Sequence, residues 1–392
     1  MTLLISLLLA AAVSVGSPLP PWQEGCLDIH AINSGRGECT FFILPDGTTM
    51  LVDAGEFVPA STKYPFVPQK PNEGVRPYEV YVRYIKHFMP APCKGVLDYA
   101  VVTHYHIDHV GKQEKDMKPD PVRGYVLTGI AGVEAEITFR QLIDRAWPRY
   151  EESLLESSSK GIAFYPEFVR YACRHDGMKA EAMDVGSRKQ LRLRHRPCRY
   201  RNFSILNYAA SGIVWNGSAK VDVYEGKKMR ENGASCCFLL SYGDFDYYTG
   251  GDAGGNTEVE IPVARAIGRP IEAMKSNHHL SYHTMKDETM RILQPEVIVT
   301  QGFTVRDIQP DYTIVDRILS DELYGGRKYM YFTNLGQQQL EAHGDVYSRA
   351  AGINGHVVIR VMPGGKEYFV YLLDDTDFEY RIKSVDGPFK CK

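Results

Sequence analysis

Leu97-Asp98-Tyr99-Ala100-Val101-Val102-Thr103-His104-Tyr105-His106-Ile107-Asp108-His109-Val110-Gly111 is the stretch that decides how this chain is read. Its first half is a mostly apolar strand. Its second half sets four metal-ligating side chains, His104, His106, Asp108 and His109, within six residues. If strand geometry persists past Thr103, His104 and His106 point to one side and share a cation, while the following turn brings Asp108 and His109 to a neighbouring one. Three of the chain's 12 histidines fall in this window behind a buried-looking strand, a concentration that a His-rich surface loop does not require. Mixed imidazole and carboxylate donors suit zinc, with manganese and iron as further candidates.

Working outward, short β-rich runs at 27–33, 40–44, 49–52 and 97–103 are bounded by Gly, Pro and Asp, and Pro45-Asp46-Gly47 joins two of them as a hairpin. Pro77 opens a helix through Phe88, with Val80, Tyr84, Ile85 and Phe88 at helical spacing. Residues 112–200 read as a partly helical insertion, one helix carrying Ile137, Leu142 and Ile143 and another Phe168, Tyr171 and Ala172. Strand signals return at 203–206, 236–241 and 246–249, a helix at 284–293 stops before Pro295, and further strands follow at 297–300, 356–362 and 368–373. This order predicts an α/β fold of two sheets packed face to face with helices outside.

His104-x-His106-x-Asp108-His109 resembles the HxHxDH signature of the metallo-β-lactamase superfamily. Further segments resemble the hydrolase domain of ComEC, the bacterial DNA-uptake channel. Ile32-Asn33-Ser34-Gly35-Arg36-Gly37-Glu38 with Leu51-Val52-Asp53-Ala54-Gly55 is similar to its "DVGQGD…LIDAG" pattern, and 97–109 to its "LDxVVLTHxHxDH". Asn232-Gly233-Ala234-Ser235 and Tyr248-Thr249-Gly250-Gly251-Asp252 resemble "NNxSLVL…LLTGD", and His278-His279-Leu280-Ser281 stands where that group has "HHGS". The likeness runs from Leu27 to about Gly302 and leaves the insertion and the tail unmatched. It implies a four-layer αββα sandwich holding two divalent ions, zinc first among the candidates, that share a hydroxide able to hydrolyse a substrate. It places the first metal on His104 and His106, the second on Asp108 and His109, and the bridge on Asp252; Asp108 is the catalytic candidate. One imidazole of His278 and His279 completes a metal site and the other supports it or contacts substrate; adjacent residues at a strand end point in different directions, so either qualifies. Asp53 is expected to hydrogen-bond a ligating imidazole from behind. Leu280 departs from the glycine of "HHGS". A third histidine for the first metal is not recognisable, and His175 and His195 read as exposed residues of the insertion.

Composition narrows the function. With 45 Lys and Arg against 48 Asp and Glu, the formal charge of −3 excludes a globally basic nucleic-acid binder. Arg188, Lys189, Arg192, Arg194, Arg196, Arg199 and Arg201 nevertheless crowd 14 residues without an acid; as a strand they would present a basic face, making Arg192 and Arg194 candidates, with Ser281, for contacting phosphates. The first 23 residues carry no charge, and their apolar run ending at Gly16-Ser17 reads as a signal peptide over 1–17, giving a secreted or periplasmic single domain over 22–392 with the insertion at about 112–200. Nothing later is apolar enough to span a membrane. Eight cysteines permit disulfides, but Cys236 and Cys237 should face opposite sides of a strand and not bond each other. The expected activity is hydrolysis of a phosphodiester, nucleic acid among the candidates, with carboxylic esters, lactones or lactams as the alternative and a non-catalytic binding protein behind both.

Overall fold

Two nine-stranded sheets form the body of the protein, seen in a computed structural model that describes residues 14–57, 67–93, 95–150, 161–254, 257–303 and 309–392. The first sheet runs, in spatial order, Ile382–Lys390, Glu367–Leu373, His356–Val361, Leu27–Ala31, Thr40–Ile43, Thr49–Val52, Tyr99–Val101, Gln141–Asp144 and Lys179–Ala182. The second runs Lys220–Asp222, Ile213–Trp215, Phe203–Ala210, Cys237–Tyr242, Phe245–Thr249, Ala273–Lys275, Val297–Thr300, Tyr329–Phe332 and Gly352–Ile353. Each sheet begins with antiparallel strands and ends with parallel ones.

Side-chain alternation explains why the sheets stack. Phe42, Met50, Val52, Tyr99 and Val101 pack between the sheets against Phe238, Leu240, Tyr247 and Val299, while Phe41, Leu51 and Ala100 face the other way. That outer face is covered by the helices Pro77–Phe88, Gly129–Glu136 and Phe164–His175. The helices Glu260–Ile267, Asp287–Leu293, Tyr312–Leu319 and Gln337–Tyr347 cover the second sheet. The result is the expected four-layer αββα sandwich. Cys236 lies in the inter-sheet core and Cys237 on the helix side, as strand geometry requires, and all eight cysteines are free.

Residues 112–200 correct one expectation. Two short strands within it, Gln141–Asp144 and Lys179–Ala182, form the last two strands of the first sheet, both parallel to their neighbours. The helix anticipated around Ile137, Leu142 and Ile143 stops at Glu136; Leu142 faces the helices and Ile143 the inter-sheet core. A doubly buried strand makes both faces apolar, and a short apolar run then reads equally as helix. Phe168, Tyr171 and Ala172 do lie on a helix, Phe164–His175.

Beyond Gly355 the chain returns to the first sheet, where His356–Val361 pairs antiparallel with Leu27–Ala31, setting Leu27 opposite Val361. The segment read as a signal peptide lies outside the described residues as far as position 13; from there Gly16 donates its N–H to the Ile382 carbonyl at 2.8 Å. No described helix is long and apolar enough to cross a membrane.

Candidate metal centre

The strand Tyr99–Val101 and its parallel neighbour Thr49–Val52 deliver Thr103 and Asp53 to one edge of the sandwich. There the chain turns through His104 to His106 into the short helix Ile107–Val110, which carries Asp108 and His109. The Asp53 carboxylate accepts from Thr103 N–H at 2.8 Å and Thr103 Oγ1 at 2.7 Å, and meets His109 Nδ1 at 2.8 Å. Asp53 thus fixes the ring whose Nε2 faces the cluster. The fit is tight, since a Cβ on Gly55 would lie 1.8 Å from the Asp108 carbonyl oxygen. Across from it, the second sheet contributes Asp252 after Phe245–Thr249 and the histidine pair after Ala273–Lys275.

One oxygen organises the centre. Asp252 Oδ2 lies 3.7 Å from His104 Nε2, 3.3 Å from His109 Nε2, 3.5 Å from His279 Nε2 and 3.8 Å from His278 Nε2. His104 Nε2 and His106 Nδ1 are 3.0 Å apart, and His279 Nε2 stands 3.3 Å from His109 Nε2 and 3.4 Å from Asp108 Oδ2. Tetrahedral donors about 2.0–2.1 Å from a zinc-sized cation stand roughly 3.3 Å from one another, so these spacings suit ligands awaiting an ion between them. Two groups overlap at Asp252: His104, His106 and Asp252, and Glu38, His109, Asp252 and His279. Asp252 Oδ1 and Glu38 Oε1 are buried with no hydrogen-bond partner among the described residues, a costly state that the nearby Lys275 ammonium offsets in part and a bound cation would relieve further.

The electrostatics agree with that donor set. Burial pushes His104 well below its ordinary value, helped by His109, and leaves it a neutral donor. Burial opposes a proton on His109, yet Asp252 and Asp53 raise it well above the usual range. Burial likewise opposes one on His279, yet Asp252 and Asp108 push it up to about 9. Burial alone would raise Asp252, but His279, His109 and His278 hold it well below the carboxylate range. The pocket is therefore built around positive charge.

The two histidines point in different directions. His279 belongs to the Asp108 and His109 group and is anchored through Nδ1 to the Gln301 carbonyl at 3.0 Å. His278 stands farther off, its Nε2 3.2 Å from Asn232 Nδ2 and its Nδ1 3.0 Å from Ser281 Oγ. Ser281 thus braces His278. His278, His279 and Leu280 all take left-handed backbone angles, with φ of 46°, 50° and 59°. Non-glycine residues there cost about 1–2 kcal/mol each, so the backbone at Leu280 is one that favours glycine. Its fully buried side chain, packed on the helix side of the second sheet, holds the turn in place.

Arg192 and Arg194 are not brought to this centre. Their segment forms no strand, although Leu191 and Leu193 point into the inter-sheet core while both arginines face out. Arg194 lies over the Tyr99 ring, 4.3 Å from its centroid, and its N–H donates to Thr48 Oγ1 at 2.7 Å, at the other end of the same strands. Arg196 and Arg199 pair with Glu24. His175 is exposed, and His195 is the more engaged of the two, 3.0 Å from Asp98 Oδ2.

Sequence reasoning missed Glu38 and Lys275. Lys275 Nζ, fully buried, donates to the Gly251 carbonyl at 2.7 Å and lies 3.0 Å from Glu38 Oε2 and 3.7 Å from Asp252 Oδ1. Glu38 closes a Gly-rich turn quoted for its motif alone, and nothing about the spacing of Lys275 announces a buried ammonium. Also unforeseen is the buried pair Arg145 and Glu231, 2.7 Å apart; Glu231 accepts the Tyr105 N–H at 2.8 Å and so steadies the chain between His104 and His106.

No protein-family model and no curated protein matches the sequence. Among solved structures the chain is similar to CmlA, a diiron β-hydroxylase from Streptomyces venezuelae, at 12% identity and a TM-score of 0.36 over 74% of this chain and 47% of that one. It is similar to a diphosphatase of the PhnP family at 9% identity and a TM-score of 0.34, over 86% and 98% of the two chains. Unliganded yeast PDE1 matches at 10% identity and a TM-score of 0.31, over 78% and 86%. This chain spans about half the length of the hydroxylase. Likenesses this distant carry no argument about activity, so the chemistry rests on the chain's own residues.

Proposed function

We propose that this protein is an exported metal-dependent hydrolase acting on a phosphodiester. The observation that carries the hydrolase reading is the convergence of His104, His109, His278 and His279 on the single oxygen Asp252 Oδ2. His104, His106 and Asp252 would hold one divalent cation, and Asp108, His109, Asp252 and His279 the other, zinc being the first candidate for this donor set. When bound, the two ions supply Lewis acidity towards the scissile group and a nucleophile from water near neutral pH. The chain's residues do the rest. Asp53 fixes the ring direction of His109, and Glu231 holds the backbone between the first two histidines. Asp108, partly exposed and held as a carboxylate by His279 and His109 against the opposing effect of burial, orients the attacking water by accepting its hydrogen bond. His278 has the most exposed side chain of the four imidazoles and, braced by Asn232 and Ser281, meets the substrate.

Phosphodiester chemistry is favoured because five motifs resemble, in order, those of a hydrolase domain held to degrade DNA. One feature favours the acyl alternative: Phe57, Val67 and Phe303 form a small apolar cluster whose Phe303 ring lies 4.6 Å from that of His279. The metal-loaded protein, assayed on bis(p-nitrophenyl) phosphate, single-stranded DNA and a chromogenic ester and lactam, separates the two. Turnover of the phosphodiesters that disappears in Asp108→Ala supports the first reading; ester or lactam turnover alone replaces it with the second, and no turnover of any substrate removes the enzyme. Export is tested by the N-terminal sequence of the protein recovered outside the cytoplasm, which should start just after Ser17.

A further inference from the structure

A second cluster lies at the opposite end of the first sheet, where Asp98 precedes the strand that leads to His104. Asp98 is buried, and its Oδ2 sits 3.0 Å from His195 Nε2. Cys93 Sγ stands 3.8 Å from the same nitrogen, and the three donor atoms lie within 4.8 Å of one another. Beside them is a cavity of about 210 Å³, lined by Cys93 and His195 together with Trp22, Glu24 and Asp46.

Three readings compete. A nucleophilic relay needs the carboxylate on one imidazole nitrogen and the thiol on the other. Here both meet Nε2, and burial, with Asp98, pushes the Cys93 thiol up to about 11, so it is no ready nucleophile. A simple hydrogen-bonded histidine accounts for Asp98 and His195 but not for the thiol on the same nitrogen. Sulfur, nitrogen and oxygen converging within 4.8 Å of one another form a donor set that could hold a cation. Asp98 Oδ2 also accepts the Thr49 N–H at 3.0 Å and Oδ1 lies 3.4 Å from Arg140 Nε, but a carboxylate has about four acceptor positions. The His195 N–H, donated to Asp46 Oδ2 at 2.9 Å, fixes the segment that presents the ring.

We infer that Cys93, Asp98 and His195 bind a single divalent cation of the zinc class, separate from the imidazole centre, with its remaining position open to the cavity. Thiolate, imidazole and carboxylate together select zinc over magnesium or calcium. The ion would clasp the irregular segment around His195 to Cys93, whose thiol, when protonated, donates to the Gly47 carbonyl of the hairpin at 3.4 Å and would give up that proton on binding the cation.

Cobalt substitution tests this without reference to activity. The imidazole centre contains no sulfur, so thiolate-to-cobalt absorption in the near ultraviolet reports this cluster alone, and the hydrolase proposal can fail without disturbing it. Metal-free full-length protein titrated with Co²⁺ should develop that band. Cys93→Ser should abolish it, His195→Asn should weaken cobalt binding at least about tenfold, and Cys198→Ser and His104→Ala should leave the band intact. A saturated titration without the band overturns the inference, as does a band that survives Cys93→Ser. If Cys93→Ser does not fold, the His195→Asn titration decides, and unchanged cobalt affinity there is equally fatal.

Discussion

The strand Tyr99–Val101 has a cluster of metal-ligand-type side chains at each end, and the two ends are built differently. After it, His104 to His109 enter a closed pocket completed by Asp252 and His279 from the other sheet, where nearly every donor is buried. Before it, Asp98 meets a half-exposed His195 and a cysteine, and every contributor belongs to the first sheet or to segments lying against it. The enclosed end draws its donors from both sheets; the open end draws them from one side, although Leu191 and Leu193, which anchor the His195 segment, reach into the core between the sheets. Burial at the enclosed end also amplifies each charge, which is why four imidazoles there surround one carboxylate oxygen and leave the proton positions described above.

Substitutions can break that contrast. The largest expected effect is at the shared oxygen: Asp252→Asn should lower metal content, measured by elemental analysis, from two ions to one or none at the imidazole centre. It should cut hydrolysis by at least on the order of 10³-fold, because Lewis acidity contributes several kcal/mol. Retained stoichiometry would mean that Asp252 does not join two sites. Next is an acid effect near the enclosed end. Burial takes His356 down to about 4 from 6.5, and its Nδ1 accepts the Asn33 N–H at 2.9 Å. The unfolded chain therefore takes a proton below its ordinary pKa while the folded one does not. Stability should fall as pH drops through that window, by up to about 3 kcal/mol, and denaturant melts of His356→Asn should show a correspondingly shallower fall. Asp53→Asn, behind His109, should cost about 10- to 100-fold in metal affinity or kcat/KM. Arg194→Ala, at the open end, should change kcat/KM less than about twofold and stability by no more than about 1 kcal/mol, the worth of its contact with Tyr99. A larger kinetic effect would mean that the two ends are coupled.

Much of the enclosed end was legible because its donors sit on a short, dense motif after an apolar strand. The structure brings His104, His106, His109 and Asp252 into two overlapping donor groups, sets Asp108 beside His279 and places Asp53 behind His109. Glu38 and Lys275 were illegible because a buried ion pair between distant segments leaves no local periodicity. Cys93, Asp98 and His195 escaped for the same reason, being drawn from separate segments. In 112–200 the doubly buried strand Gln141–Asp144 imitated a helix face, and the arginine run imitated a strand because Leu191 and Leu193 alternate without ladder bonds.

The pairing of Leu27–Ala31 with His356–Val361 bears on how the protein is made. During synthesis the strand that leads towards Asn33 and Glu38 keeps one edge bare until more than three hundred further residues have followed it. Every donor of the imidazole centre has been translated before that edge is closed. An exposed strand edge is a template for association with other chains, and closing so distant a pair is slow. The centre should therefore form late, in one step with the arrival of the last strands, and chains ending between Ser281 and Gly355 should aggregate although they contain every ligand.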